Sequence, residues 1–160
     1  MVLGDTYVKW AVICTLIMTG IGTVLVAKQL DEDSGAIRVK NYELRLDVEQ
    51  DKCRLVYVGL KAKGQLALLI SPPCEFIRYQ GSPLSYTYKD LDKATVLLVV
   101  GGPLDSQKTD PLMPAGCGTQ VQAILLRQNS VSASQSVGRG GTFCPSAGAD
   151  EKMFWFFGHH

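Results

Sequence analysis

Four cysteines are the residues whose chemistry the sequence predicts most directly. These are Cys53, Cys74, Cys117 and Cys144. A fifth cysteine, Cys14, belongs to the apolar N-terminal segment that precedes them. An even number of spaced cysteines after a secretory-type segment is typical of disulfide bonds in an oxidising compartment. Zinc would need tight C-x2-4-C knuckles, whereas the intervals here contain 20, 42 and 26 residues. We therefore predict two disulfide bonds and no metal site.

Two predicted β-hairpins favour one of the three possible pairings of these cysteines. The predicted strands cover residues 53–60 and 65–70 in the first hairpin and residues 119–128 and 131–137 in the second. In the first hairpin, a connection over residues 61–64 places Cys53 opposite Pro72, two residues before Cys74.

The second hairpin repeats this arrangement. A turn at Asn129-Ser130 places Cys117 opposite Thr142, two residues before Cys144. We therefore predict the disulfides Cys53–Cys74 and Cys117–Cys144. A disulfide that closes a loop of this length stabilises the fold by about 3 kcal/mol, because it restricts the unfolded chain.

Catalytic residues are not recognisable in the sequence. A nucleophilic serine or cysteine needs a neighbouring base, and the two histidines, His159 and His160, end the chain. The sequence contains no S-x-x-K for serine–lysine chemistry. The spacing of the carboxylates does not distinguish a glycosidase pair from solvated strand edges. These carboxylates are Glu43, Glu75, Asp90 and Asp92. We predict a protein that is not an enzyme and has no cofactor.

The N-terminal segment predicts attachment to a membrane. Residues 11–27 are apolar and carry no charge. The length of this segment is at the short end of the range that spans a bilayer as a helix. A cleaved signal peptide is an alternative, although Leu25 is bulky where a small residue is preferred. A lipoprotein anchor at Cys14 is another, although Ile13 stands where a small residue is required, and a buried core helix is a third. We predict a transmembrane anchor.

This anchor organises the rest of the chain. We assign residues 1–10 to a short tail, 11–27 to the anchor, 28–35 to an acidic spacer and 36–160 to one β-domain. The disulfides, together with the lack of an N-x-Ser/Thr sequon in the domain, favour a bacterial inner-membrane protein whose domain lies in the periplasm. The formal net charge of +1 argues against a nucleic acid partner.

The domain predicts an all-β fold. Residues 42–48 alternate apolar and charged side chains, as a half-buried strand does. Further strands are predicted over residues 74–79, 95–100 and 152–157, the last as a buried closing strand. Residues 138–141 read as a turn. Short strands separated by such turns indicate a disulfide-stapled β-sandwich or an open barrel.

A long loop over residues 101–118 is the predicted partner-binding surface, since loops of this length are often functional. Its candidate contact residues are Asp105, Lys108, Asp110 and Met113. A passive connection across the end of the sandwich is the alternative.

The C-terminal part of the chain resembles a group of small bacterial envelope proteins. The similarity rests on Cys117-Gly118, residues 122–127, Val131-Ser132, Cys144-Pro145 and residues 150–154. Some of these proteins are described as periplasmic immunity proteins or lipoproteins associated with type VI secretion. The resemblance implies a periplasmic protein, while the absence of a lipobox at Cys14 departs from the lipoprotein members.

Two functions follow as hypotheses. The first is a membrane-anchored periplasmic binding protein of the immunity or inhibitor type, which masks a partner protein. The second is a structural subunit of a secretion or pilus assembly, packed through small residues of the anchor such as Gly20 and Gly22. Sugar or lipid binding is a weaker option, because sandwich folds serve many functions.

Overall fold

In the computed structural model of the chain, residues 35–104, 114 and 116–160 are described. These residues form eleven β-strands, two 3-10 helices and one α-helix. A mostly β fold is therefore confirmed, and the described chain also contains two disulfides. The predicted anchor over residues 11–27 lies outside the described residues. No helix within the described ranges combines the length and the apolar character needed to cross a membrane.

The first sheet is a four-stranded antiparallel meander. Its strands are β1 (Ile37–Val39), β2 (Tyr42–Glu49), β3 (Lys52–Gly59) and β4 (Lys63–Ala67). Strand β2 covers the predicted strand over residues 42–48. Its alternation places Leu44 in the core, while Glu43 faces outward and pairs with Arg38. Strand β1 is short and was not predicted.

The second sheet has five strands, and the strand over Ala94–Gly101 pairs with other strands along both of its edges. The strands are β5 (Glu75–Phe76), β8 (Ser85–Tyr88), β9 (Ala94–Gly101), β10 (Gly118–Leu126) and β11 (Val131–Phe143). A separate two-stranded sheet, the small ribbon, consists of β6 (Arg78–Tyr79) and β7 (Ser82–Pro83). The 3-10 helices cover Lys89–Leu91 and Pro145–Ala147. The predicted strand over residues 74–79 is thus divided between β5 and β6.

Strand β9 is buried along its whole length, because the second sheet is the middle layer of the domain. Leu97 and Val99 pack with Leu44 and Leu55 in the cluster that contains side chains of both sheets. The alternate residues of β9 belong to a second cluster, shared with the α-helix. A strand covered on both faces carries apolar residues at successive positions, as this one does.

The C-terminal segment is a helix, so the predicted closing strand over residues 152–157 is wrong. Helix α1 covers Glu151–His159. The side chain of Asp150 accepts a hydrogen bond from the backbone N–H of Lys152 at 2.9 Å, which caps the helix. Phe154 and Phe157, three residues apart, are buried against the second sheet. The run of aromatic residues fits either structure, and the cap decides between them.

Residues 138–141 are also not the predicted turn, because β11 runs through them to Phe143. A Cβ atom on Gly138 would lie 2.6 Å from the ring of Phe157 and 2.7 Å from Val121. Glycine at this position therefore allows α1 to approach the sheet closely.

Candidate functional site: the turn end of the domain

Both predicted disulfides are present, with Cα–Cα distances of 5.6 Å for Cys53–Cys74 and 4.1 Å for Cys117–Cys144. The first hairpin reaches its disulfide in a different register from the predicted one. Its turn is closed by a hydrogen bond from Gly59 N–H to the carbonyl of Ala62 at 2.8 Å. Each residue of β3 therefore faces a residue of β4 that lies four positions earlier in the chain than predicted.

In that register, the N–H of Leu68 donates to the carbonyl of Cys53 at 2.8 Å, and the N–H of Cys53 donates to Ile70 at 2.9 Å. Cys53 therefore faces Leu68 and not Pro72. The chain beyond Ile70 carries Cys74 back to Cys53.

The second hairpin reaches its disulfide through two irregularities in the ladder. Leu126 faces Val131 next to the turn, whereas Gly118 faces Phe143 at the other end. The extra residues in β11 advance its register, which brings Cys144 beside Cys117. The predicted register holds between the two irregularities, where Gln122 faces Val137.

The predicted loop residues Asp105, Lys108, Asp110 and Met113 lie outside the described residues. Their role in docking stays a prediction.

The end of the domain opposite the two disulfides gathers four chain connections that the sequence does not place together. We call this surface the turn end and define it as residues 38–43, 58–63, 89–93 and 126–131. These segments contain the turns between β1 and β2, between β3 and β4, and between β10 and β11, together with the connection from β8 to β9. Surface connections held on a rigid scaffold are a common place for binding residues.

Positive charge is concentrated at the turn end. It carries seven cationic side chains against three carboxylates. The other described residues balance, with six cationic side chains and six carboxylates. The cationic residues are Arg38, Lys40, Lys61, Lys63, Lys89, Lys93 and Arg127. The whole positive excess of the described domain therefore lies on this one surface.

Two hollows lie on either side of the Lys40-Asn41 turn, and both reach down to Tyr42. One, of about 310 Å³, extends between Arg38 and the exposed Leu60. The other has a volume of about 250 Å³. Lys40, Lys93 and Arg127 line this second hollow together with Asp92, above the apolar side chain of Leu126. Each hollow is thus lined by apolar side chains and by more cationic than acidic side chains.

The turn end is held by specific hydrogen bonds. The hydroxyl of Tyr42 donates to the carbonyl of Arg127 at 2.9 Å, which ties the first sheet to the second. The guanidinium of Arg127 donates to Ser132 Oγ, also at 2.9 Å. Lys40 and Lys93 adopt left-handed backbone conformations, with φ values of 53° and 57°. Such conformations are uncommon for lysine and persist where the surrounding structure holds them.

A histidine–carboxylate pair joins the end of α1 to the turn end. Nε2 of His159 lies 3.1 Å from Oδ2 of Asp90, and Nδ1 lies 2.6 Å from the carbonyl of Trp155. Burial lowers the pKa of His159, but its hydrogen bonds to Trp155 and Asp90 together raise that pKa above its usual value. The hydrogen bond from His159 lowers the pKa of Asp90. Because both partners are acceptors, the protonated imidazole satisfies them together.

Within the described ranges, no three His, Cys, Asp or Glu side chains come close enough to hold a metal ion. Comparison with known proteins adds no relative: no family model, curated protein or solved structure matches the chain. The resemblance to envelope immunity proteins therefore stays a prediction.

Sequence reasoning missed the turn end because its charges come from four separate segments. A partial signal was present in Lys61 and Lys63, which belong to the predicted connection of the first hairpin. Lys40-Asn41, just before the predicted strand over residues 42–48, was another. The pairing of the strands and the stacking of the two sheets together bring these positions to one end.

Proposed function

We propose that the chain is a binding protein that docks its turn end against an acidic surface of a partner protein. The observation that carries this proposal is the concentration of positive charge there, in a domain whose remaining described surface is balanced. Complementary charge steers association and disfavours partners of the wrong sign.

The scaffold supports tight one-to-one binding. Two disulfides lie at the far end, and the Tyr42–Arg127 hydrogen bond connects the sheets at the turn end. A surface that is ordered before binding loses little conformational entropy on association. This favours a protein of the immunity or inhibitor type, which masks its partner. The apolar segment over residues 11–27 and the disulfides support a membrane-anchored protein with its domain in the periplasm.

The test is capture from native envelopes with wild-type protein and with two charge-reversal variants. Lys40→Glu combined with Lys93→Glu changes the turn end, and Arg139→Glu combined with Lys152→Glu makes the same change in net charge elsewhere. All four side chains are exposed, so both variants should fold. The same protein partner should be recovered by wild type and by the Arg139/Lys152 variant, and lost with the Lys40/Lys93 variant.

Binding of the purified partner to all three proteins should reproduce this order. Equal loss in both variants would reject the turn end as the interface. Recovery of an anionic envelope polymer instead of a protein would overturn the choice of partner.

A further inference from the structure

The hairpin between β3 and β4 presents an apolar side chain at its tip. Leu60 is 87% exposed, more than any other large apolar side chain in the described part of the chain. Scattered surface leucines are ordinary. Leu60 differs because it stands in the tight turn that joins β3 to β4.

A hydrogen bond and close packing hold this tip. The hydrogen bond from Gly59 N–H to the carbonyl of Ala62, 2.8 Å long, closes the turn. A Cβ atom on Gly59 would lie 2.6 Å from the ring of Tyr42, so the strand packs directly against that ring. Strand β3 pairs with β2 along all its eight residues and with β4 on its other edge. The tip therefore projects from the most fully paired strand of the first sheet.

Cationic side chains flank the apolar tip. Lys61 follows Leu60 directly, and Lys63 begins β4, and both are exposed. Val58, which is 55% exposed, lies with Leu60 on the wall of the 310 Å³ hollow. An apolar projection with cations beside it is complementary to an apolar pocket with carboxylates at its rim.

We infer that Leu60 is the anchor of the interface and that it enters an apolar pocket of the partner whose rim carboxylates pair with Lys61 and Lys63. This inference rests on the proposed function and names the chemistry of the partner. Interfaces draw most of their affinity from a few well-packed anchors, and a preformed anchor binds at low entropic cost.

The first test is site-specific photo-crosslinking in the full chain, in the cells that make it. A benzophenone amino acid replaces Leu60 in one variant and Val48 in a matched control. Val48 is also 55% exposed, at the far end of β2. Position 60 should cross-link to one protein, and position 48 should not. Cross-linking at position 60 to a second copy of this chain, to lipid or to nothing would overturn the inference.

The second test measures affinity for the captured partner. Leu60→Ala should weaken binding by about 30-fold or more, as loss of an anchor does, while Val48→Ala leaves it unchanged. If the lysine reversal at Lys40 and Lys93 abolishes binding but Leu60→Ala does not weaken it, the proposed function stands and the anchor is wrong. If neither change affects binding, both proposals fail.

Discussion

The hydroxyl of Tyr42 donates a hydrogen bond to the backbone carbonyl of Arg127, 2.9 Å away, across the gap between the two sheets. Tyr42 opens β2 and Arg127 follows β10, so the contact joins turns that are 85 residues apart in the chain. Tyr42 also lines both hollows. One side chain thus connects the sheets and shapes the turn end.

Tyr42→Phe should therefore lower the free energy of unfolding by about 1 kcal/mol, the usual loss for one hydrogen bond, while keeping the apolar ring in place. Denaturant unfolding measures this change. Tyr79→Phe is the control, because the Tyr79 side chain is largely exposed on the small ribbon. An equal loss in both variants would show that the Tyr42 hydroxyl has no special role.

The helical C-terminus leads to a prediction that distinguishes it from a strand. In a strand, Phe154 and Phe156 would point to the same face, whereas in α1 Phe154 is buried and Phe156 is 49% exposed. Phe154→Ala should cost about 3–5 kcal/mol of stability, and Phe156→Ala less than about 1 kcal/mol. Thermal or denaturant unfolding of the two variants measures this difference. Similar losses would contradict the helix.

Removing the first disulfide should destabilise the domain. The Cys53→Ala/Cys74→Ala variant loses a covalent link between residues 21 apart in sequence, which corresponds to about 3 kcal/mol. Denaturant unfolding under non-reducing conditions measures the loss, and peptide mapping of the wild type verifies the pairing. A Cys53–Cys117 linkage in that map would contradict the structure.

The pairing of His159 with Asp90 predicts a pH-dependent stability. Because the pKa of His159 is raised on folding, its contribution is complete below the unfolded value of 6.5 and is lost as the pH rises through the folded pKa. Because the pKa of Asp90 is lowered, its contribution is lost as the pH falls through its folded pKa, below the usual 3.8. The pair therefore stabilises most between these limits.

His159→Gln should accordingly destabilise the domain more at pH 5 than at pH 9. Unfolding at the two pH values measures the difference, with His160→Gln as the control. His160 stacks on Phe156, and its Nδ1 contacts the carbonyl of that same residue. A loss that is the same at both pH values would show that the charge on His159 does not matter.

The disulfide pairs and the β-rich fold could be predicted because they depend on local patterns. The alternation of residues 42–48 and the turn residues between hairpin strands are each visible within a short window of sequence. The registers of the two hairpins were harder to predict from the sequence. The tight turn at Gly59 shifted one ladder, and two irregularities in β11 shifted the other, yet both hairpins still closed at their cysteines.

The turn end could not be predicted for a different reason. Lys40, Lys93 and Arg127 belong to turns far apart in the chain, and their proximity depends on how two sheets stack. Helix α1 was missed because its aromatic residues also fit a strand, and the signal that decided was the capping side chain of Asp150.

Association kinetics show whether the turn end binds an acidic partner. Association rates of the purified partner are measured at increasing salt for the wild type, the Lys40→Glu/Lys93→Glu variant and the Arg139→Glu/Lys152→Glu variant. We predict that the wild-type rate falls about tenfold or more between low and high salt, and that the turn-end variant is slow and insensitive to salt. The Arg139/Lys152 variant should follow the wild type. A turn-end variant that associates as fast as the wild type at low salt would show that the turn end is not the docking surface.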